Sequence, residues 1–319
     1  MTDIEFDAMG KRLCSSLAIV LKNEGILGGP HSASINYDSN GNILHIEIEQ
    51  CLVRNITIST DSTISMSSIW RLYNAIEKLL MMFDGRFYTI ETLAFSGDGC
   101  SEDEYVLYAN ECLSRRLVYY KTDSAYCYSD HVFLMYDTVL TPELIARWIQ
   151  LQEELDIVHQ VALHNISATG ITHDVKCANL IECLEPMVEI INIYDKFFPN
   201  LKPGDRTTTL KMCIDAVISK YGNDIFAEEY GVNKDRFLQT LVNTRNRIMH
   251  IKRNQPVGKY LTAPESILYL VKFFHLYRVV ILSLLGIKYK QYKSCVVKSV
   301  EQWNAWNNVL TNFKTELQK

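Results

Sequence analysis

The chain has little that would break it or staple it. Seven prolines and fourteen glycines in 319 residues are too few for a sandwich stitched by many tight turns. No Cys-x-x-Cys occurs among the nine cysteines, and the nearest pair is Cys177 and Cys183. An odd number of thiols set among apolar neighbours, as in Met212-Cys213-Ile214, argues against a disulfide framework and for free thiols in a reducing, cytoplasmic setting. The eight histidines show no ligand spacing with cysteine or carboxylate, so no metal or other cofactor is expected. The start, Met1-Thr-Asp-Ile-Glu-Phe-Asp7, is acidic where a signal peptide would be basic. There is no internal repeat or low-complexity linker. Between Arg236 and Pro264 there is neither Asp nor Glu.

What is there is globular. Hydrophobic residues make up 48% and charged residues 22%, ordinary values for a chain with a sizeable core. The net charge of −5 hides an asymmetry: residues 1–160 carry 11 Lys/Arg against 23 Asp/Glu, and residues 161–319 carry 21 against 14. An acidic half before a basic half suggests two units, with a polyanion partner meeting the second.

The periodicity changes along the chain in the same way. A first helix is expected over residues 10–24. Residues 32–37 and 43–49 read as a hairpin around Asp38–Asn42 with a turn of several residues, and 52–59 as a third strand. Ile46 and Ile48 alternate with Glu47 and Glu49, which makes one sheet face wet. Residues 65–83 turn helical. Residues 86–95 and 105–109 read as strands around an acidic loop at 96–104, with weaker strands at 117–120 and 131–135. From Thr141-Pro142-Glu143, an N-cap followed by a first-turn proline, the pattern is helical. Helices are expected to about 163, over 175–198 with a kink at Pro186, from a cap at Asp205 to Gly222, over 234–251, 264–285 and 294–317. The fold class is therefore α+β: a mixed N-terminal domain with an antiparallel sheet over residues 1–165, in a sensor or regulatory role, and an all-α C-terminal domain over 166–319.

The stretch 267–287 is apolar enough to span a bilayer, but Lys272, His275 and Arg278 place a polar stripe on it. A core helix with one wet or interface-facing edge is the better reading, and no membrane partner is expected.

One constellation carries chemistry. In the helix over 234–251 the apolar stripe Leu238, Leu241, Val242, Ile248, Met249 leaves the next inward position to Arg245. Charge on a packed stripe is costly unless paired or facing a groove. Asn246 and His250 lie four apart and share a face. Arg245 and His250 are offset by roughly 140° on an ideal helix, so one helix would splay them and two copies face to face could join them. Arg can grip a phosphate with two parallel hydrogen bonds, and His can move protons to and from a ribose 2′-OH and a 5′-oxygen. With Asn246 to orient either, Arg245 and His250 suffice for metal-free cleavage in which the 2′-OH attacks its own phosphate, so RNA is the implied substrate. Arg247, Lys252, Arg253 and Lys259 are the candidate RNA-binding residues around them. The alternative is structural: Arg245 pairs with a core acid and His250 is a satisfied surface residue. Arg-Asn-x-x-x-His arises by chance in about one or two per hundred chains of this length, so its helical, acid-free setting matters.

The run Leu238-Gln-Thr-Leu-Val-Asn-Thr-Arg-Asn-Arg-Ile-Met-His250, followed by a long apolar helix, resembles the signature of HEPN domains over about residues 175–290. The resemblance implies a helical bundle, a metal-independent endoribonuclease acting through Arg245, Asn246 and His250, and a homodimer with a composite site. A larger N-terminal domain before one such domain is similar to the ApeA type of bacterial anti-phage, abortive-infection proteins. That implies a defence or toxin role and a phage-derived or nucleic-acid trigger. The competing expectation is a non-catalytic RNA-binding or dimerisation module within a larger complex.

Lesser signals have plainer readings. Gly25-Ile-Leu-Gly-Gly-Pro30 is a turn, His159 and His164 are not ligands, Arg115-Arg116 is on the surface, and Trp303 and Trp306 anchor a core or interface.

Overall fold

The computed structural model describes residues 1–21, 30–51, 53–85, 89–119, 132–167, 170–195, 197–251 and 259–319. The fold is α+β, with an antiparallel sheet in the N-terminal part and helices in the C-terminal part. Two compact units divide the chain, Met1–Gln152 and Glu153–Lys319. The boundary lies inside helix α4 (Pro142–Ser167), ahead of residue 165. The side chains on either side explain why. Trp148 donates to the carbonyl of Ala75 at 2.7 Å in the first unit, whereas His159 Nδ1 is 2.6 Å from the Tyr277 hydroxyl in the second.

In the first unit α1 (Asp3–Gly10) opens on a capping box between Thr2 and Glu5. The expected helix over 10–24 is instead the end of α1 and strand β1 (Leu13–Leu21). Its alternation decides this: Leu17, Ile19 and Leu21 are buried, Ala18 is exposed, and β1 is paired on both edges. Gly10 is required where α1 ends, since a Cβ there would lie 2.8 Å from the Tyr108 hydroxyl. Strands β2 (His31–Ser39) and β3 (Asn42–Gln50) form the hairpin, with Ser39 opposite Asn42. The turn is only two residues, Asn40 and Gly41, both at positive φ, and Asp38 accepts from the Gly41 N–H at 2.6 Å. With β4 (Arg54–Ser65) and β5 (Ile90–Ser96) the sheet order is β2-β3-β4-β1-β5. Ile35, Ile46, Ile48, Ile56, Ile58, Leu17 and Ile19 fill one face, on which α2 (Met66–Asp84) packs, while Glu47 and Glu49 are exposed on the other.

The residues read as strands at 105–109 and 117–120 belong to α3 (Glu102–Tyr119) as far as Tyr119; Tyr120 and His131 lie outside the described residues, and 132–135 form no strand. The missed signal is Ser101-x-x-Glu104, whose side chains and backbone bond reciprocally at the helix start. Tyr105, Tyr108, Ala109, Cys112 and Arg116 then line the buried face at helical spacing. Glu102, Asp103 and Glu104 of the acidic loop are thus the first turn of a helix, where acids suit the dipole, while 97–101 remain a loop. Arg116 is buried against Glu77, contrary to a surface position, while Arg115 reaches Asp3 at 2.7 Å. The glycine-rich turn at 25–30 falls almost wholly outside the described residues.

The second unit is helical: α5 (His173–Glu182), α6 (Leu184–Asp195), α7 (Leu210–Tyr221), α8 (Ala227–Met249), α9 (Ala263–Leu284), α10 (Lys293–Asn304) and α11 (Val309–Gln318). The single helix expected over 175–198 is two, because Pro186 has no N–H for the carbonyl of Glu182 and the chain breaks at Cys183. Thr209, not Asp205, caps α7, accepting from Met212 N–H. The last helix is likewise broken, by Asn307 and Asn308 in the left-handed region. Trp303 and Trp306 pack against Leu268, Val309 and Leu310.

Helix α9 is long and apolar enough to cross a membrane, and 89% of its apolar window is buried inside the unit. Its polar stripe faces inward, not to water or an interface. Lys272 and Glu229 bond at 2.5 Å with both side chains fully buried, and His275 Nε2 is 2.8 Å from the Ser299 hydroxyl. Arg278 is 0% exposed, with its guanidinium over Phe274. Partners on α8 and α10 meet Lys272 and His275, and Arg278 is buried within the unit, so the stripe gives no reason for a second copy.

Burial pushes the thiols of Cys14, Cys112 and Cys183 up to about 12 and that of Cys213 up to about 11, and it raises Cys177 further. A maleimide at neutral pH is expected to modify exposed Cys51 while these five react only after unfolding, as counted by intact mass. Early modification of any of the five would contradict their burial.

Candidate functional site

Helix α8 breaks at Asn233, whose side chain accepts from Arg236 N–H at 3.1 Å and starts the regular stretch that runs to Met249. Phe237, Leu238, Thr240, Leu241 and Thr244 form its buried face. Arg245 stands at the edge of that face with 19% of its side chain exposed, while Met249, expected inside, is exposed.

The three motif side chains meet within one chain. Arg245 Nη1 lies 2.9 Å from Asn246 Oδ1 and 3.1 Å from His250 Nε2. The 140° splay does not hold because His250 is no longer in the helix. It is the C-cap, at φ −107° and ψ 8°, and Ile251 follows at φ 48°. The turn swings the imidazole back, and the long arginine side chain spans the rest. An arginine N–H can only donate, so Nε2 accepts and the ring proton sits on Nδ1 in this arrangement.

The rest of the guanidinium is held by a residue that the sequence did not single out. Arg245 Nε donates to Glu182 Oε2, and Nη2 donates to Oε1 at 2.5 Å, a fork-to-fork pair. The hydrogen bonds to Glu182 raise the guanidinium above its ordinary value, against burial, with Glu185 adding to the same effect. The acid-free surroundings of the sequence are thus not acid-free in space. Glu182 ends α5, where Pro186 breaks the chain, and that break is the local signal that could have drawn notice to it. With Nε and one Nη2 hydrogen held by Glu182, the arginine meets a phosphate only with its second Nη2 hydrogen and with Nη1, whose bonds to Asn246 and His250 would have to give way.

Of the RNA-binding candidates, Arg247 is half-buried and lies over the Tyr260 ring, and Lys259 is exposed. Lys252 and Arg253 lie outside the described residues. His250 is exposed, and two concavities of this unit, of about 410 and 600 Å³, are lined by none of the motif residues. Among the described residues no group of three or more His, Cys, Asp or Glu could hold a metal ion.

No known protein family, curated protein or solved structure matches the chain.

Proposed function

We propose that the protein is an endoribonuclease whose reaction runs through Arg245, Asn246 and His250. The observation that carries this is the convergence of all three side chains on one guanidinium nitrogen at an exposed position. A phosphate oxygen that takes the Nη1 donor frees the Nε2 lone pair of His250. That lone pair can accept the proton of a ribose 2′-OH as its oxygen bonds to phosphorus and the bond to the 5′-oxygen breaks. A proton delivered to the 5′-oxygen from solvent completes the step, while His250 returns to solvent the one it took, leaving a 2′,3′-cyclic phosphate and a 5′-hydroxyl. Because the splay is closed within one chain, the single-chain geometry itself does not require a second copy; the resemblance is what supports a homodimer.

The acidic first unit is proposed as the sensor of a phage-derived or nucleic-acid trigger in defence or toxin action, and the support for this is the resemblance alone. A second reading is favoured by one observation. An arginine clamped by Glu182 is also what a structural residue looks like, so the helical unit is then a non-catalytic RNA-binding or dimerisation module. Incubation with total RNA in EDTA, beside a His250→Ala variant, separates the two.

On the nuclease reading Glu182 is a positioning residue. Glu182→Ala is expected to lower kcat by up to about 10²-fold with KM little changed, because a guanidinium displaced by an ångström loses its alignment with the phosphate. Single-turnover and steady-state cleavage would show it. A change in KM alone would assign Glu182 to binding.

A further inference from the structure

We propose that Arg247 and Tyr260 form the subsite that grips the nucleotide beside the scissile phosphate, an inference that rests on the reading of this surface as an RNA site. Asn243, Asn246 and Arg247 are spaced three and four apart and share one face of α8, and the turn after Met249 sets His250 against Arg245 beside them. The Arg247 guanidinium lies 4.0 Å from the centre of the Tyr260 ring. Tyr260 is itself held on both sides. Asn243 Nδ2 donates to the carbonyl of Lys259 at 3.0 Å, and the Leu261 N–H donates to the Thr244 hydroxyl at 2.8 Å. Leu261 is buried, so residues 259–261 form a fixed wall along the face that carries the motif.

The two arginines differ in what remains of them. One edge of the Arg245 fork is closed by Glu182, and its Nη1 is engaged by Asn246 and His250. Arg247 has no carboxylate partner among the described residues, and its guanidinium rests on the Tyr260 ring. A flat, pre-oriented fork suits two acceptors side by side. In an RNA strand those are O6 and N7 of guanine or two oxygens of a neighbouring phosphate. A lysine at 247 would keep the charge and lose the plane and the fork.

The test is binding of labelled single-stranded RNA octamers, with each of the four bases in turn at the central position of an otherwise uniform sequence, followed by fluorescence anisotropy on a His250→Ala background. Arg247→Lys and Tyr260→Leu are each expected to bind about 10–100-fold more weakly with an unchanged melting temperature, and Tyr260→Phe to recover most of that loss. The salt dependence of binding should keep its slope in Arg247→Lys, since no charge is lost. Loss confined to guanine octamers assigns the fork to the base, and equal loss on all four assigns it to phosphate. Binding like that of the parent, or a loss that follows a lowered melting temperature, makes the pair a mere latch and overturns the proposal. Cleavage by chains with His250 intact is measured in parallel. If the otherwise unaltered chain cuts RNA and Arg247→Lys binds normally, the subsite fails and the nuclease stands. If Arg247→Lys loses binding but the unaltered chain never cuts, the nuclease fails, and the pair stands as an RNA-binding subsite with no scissile phosphate beside it. If no chain binds RNA, both fall.

Discussion

His250→Ala is expected to slow RNA cleavage by about 10²–10⁴-fold while RNA still binds, since that is the usual loss when a proton-transferring side chain is removed. Among the described residues His250 Nε2 carries the one imidazole lone pair in contact with Arg245. Arg245→Ala should cost a similar factor, because the Nη1 donor meets the phosphate where charge develops. The fold should survive both changes: His250 is exposed, and Glu182, which Arg245 would leave behind, is 35% exposed and can be solvated. The reaction should proceed in EDTA. The attacking nucleophile is the substrate's own 2′-OH, so an oligonucleotide with 2′-deoxyribose at the scissile position should bind and resist. Gel analysis of end-labelled RNA checks all of this. Wild-type rates in either variant, arrest by EDTA, or cutting of the deoxy linkage would each refute the assignment.

Lys272→Met should be the most destabilising single change outside the site, at about 3–5 kcal/mol, because it strands the Glu229 carboxylate in a fully buried place. Glu229 Oε1 accepts from both Lys272 and the Tyr269 hydroxyl, among the packed rings of Phe226, Phe237, Phe273 and Phe313. The double change Lys272→Met, Glu229→Met should recover part of the loss, since two apolar side chains need no partner while the buried Tyr269 hydroxyl loses its acceptor. Burial already holds the Lys272 ammonium below the ordinary lysine value of 10.5, against the pull of Glu229. In Glu229→Gln that pull is gone, and the folded state binds the proton still less readily than the unfolded chain. Stability of this variant should therefore rise as pH climbs toward 10.5 and fall as pH drops. Urea unfolding midpoints across pH would show it. A Lys272→Met midpoint equal to that of the wild type would mean the pair contributes nothing.

Much of the architecture follows from residues that are close in the chain. Alternation at Ile46 and Ile48 against Glu47 and Glu49 makes a strand with one wet face, and the hairpin and most C-terminal helices follow from the same kind of local period. The motif at 245–250 is equally legible, as residue types at a spacing. Errors gathered where two local signals competed. The apolar residues of β1 fit a helix until they are paired on both edges, and the tyrosines of α3 fit a strand until the Ser101–Glu104 box is given weight.

The order of residues by itself determined the α+β division, the acidic and basic halves and the identity of the motif, because these depend on neighbours a few positions apart. Only the tertiary structure decided what each charge faces. Glu182 reaches Arg245 from 63 residues away, and Glu229 reaches Lys272 from 43 away, through the packing of α5, α8 and α9. The stripe on α9 reads as wet or interface-facing from the sequence because a buried charge is costly without a partner, and Lys272 and His275 find theirs on α8 and α10. The meeting of Arg245 with His250 likewise needed the helix to end at Met249, a turn that the ideal period of the helix does not contain.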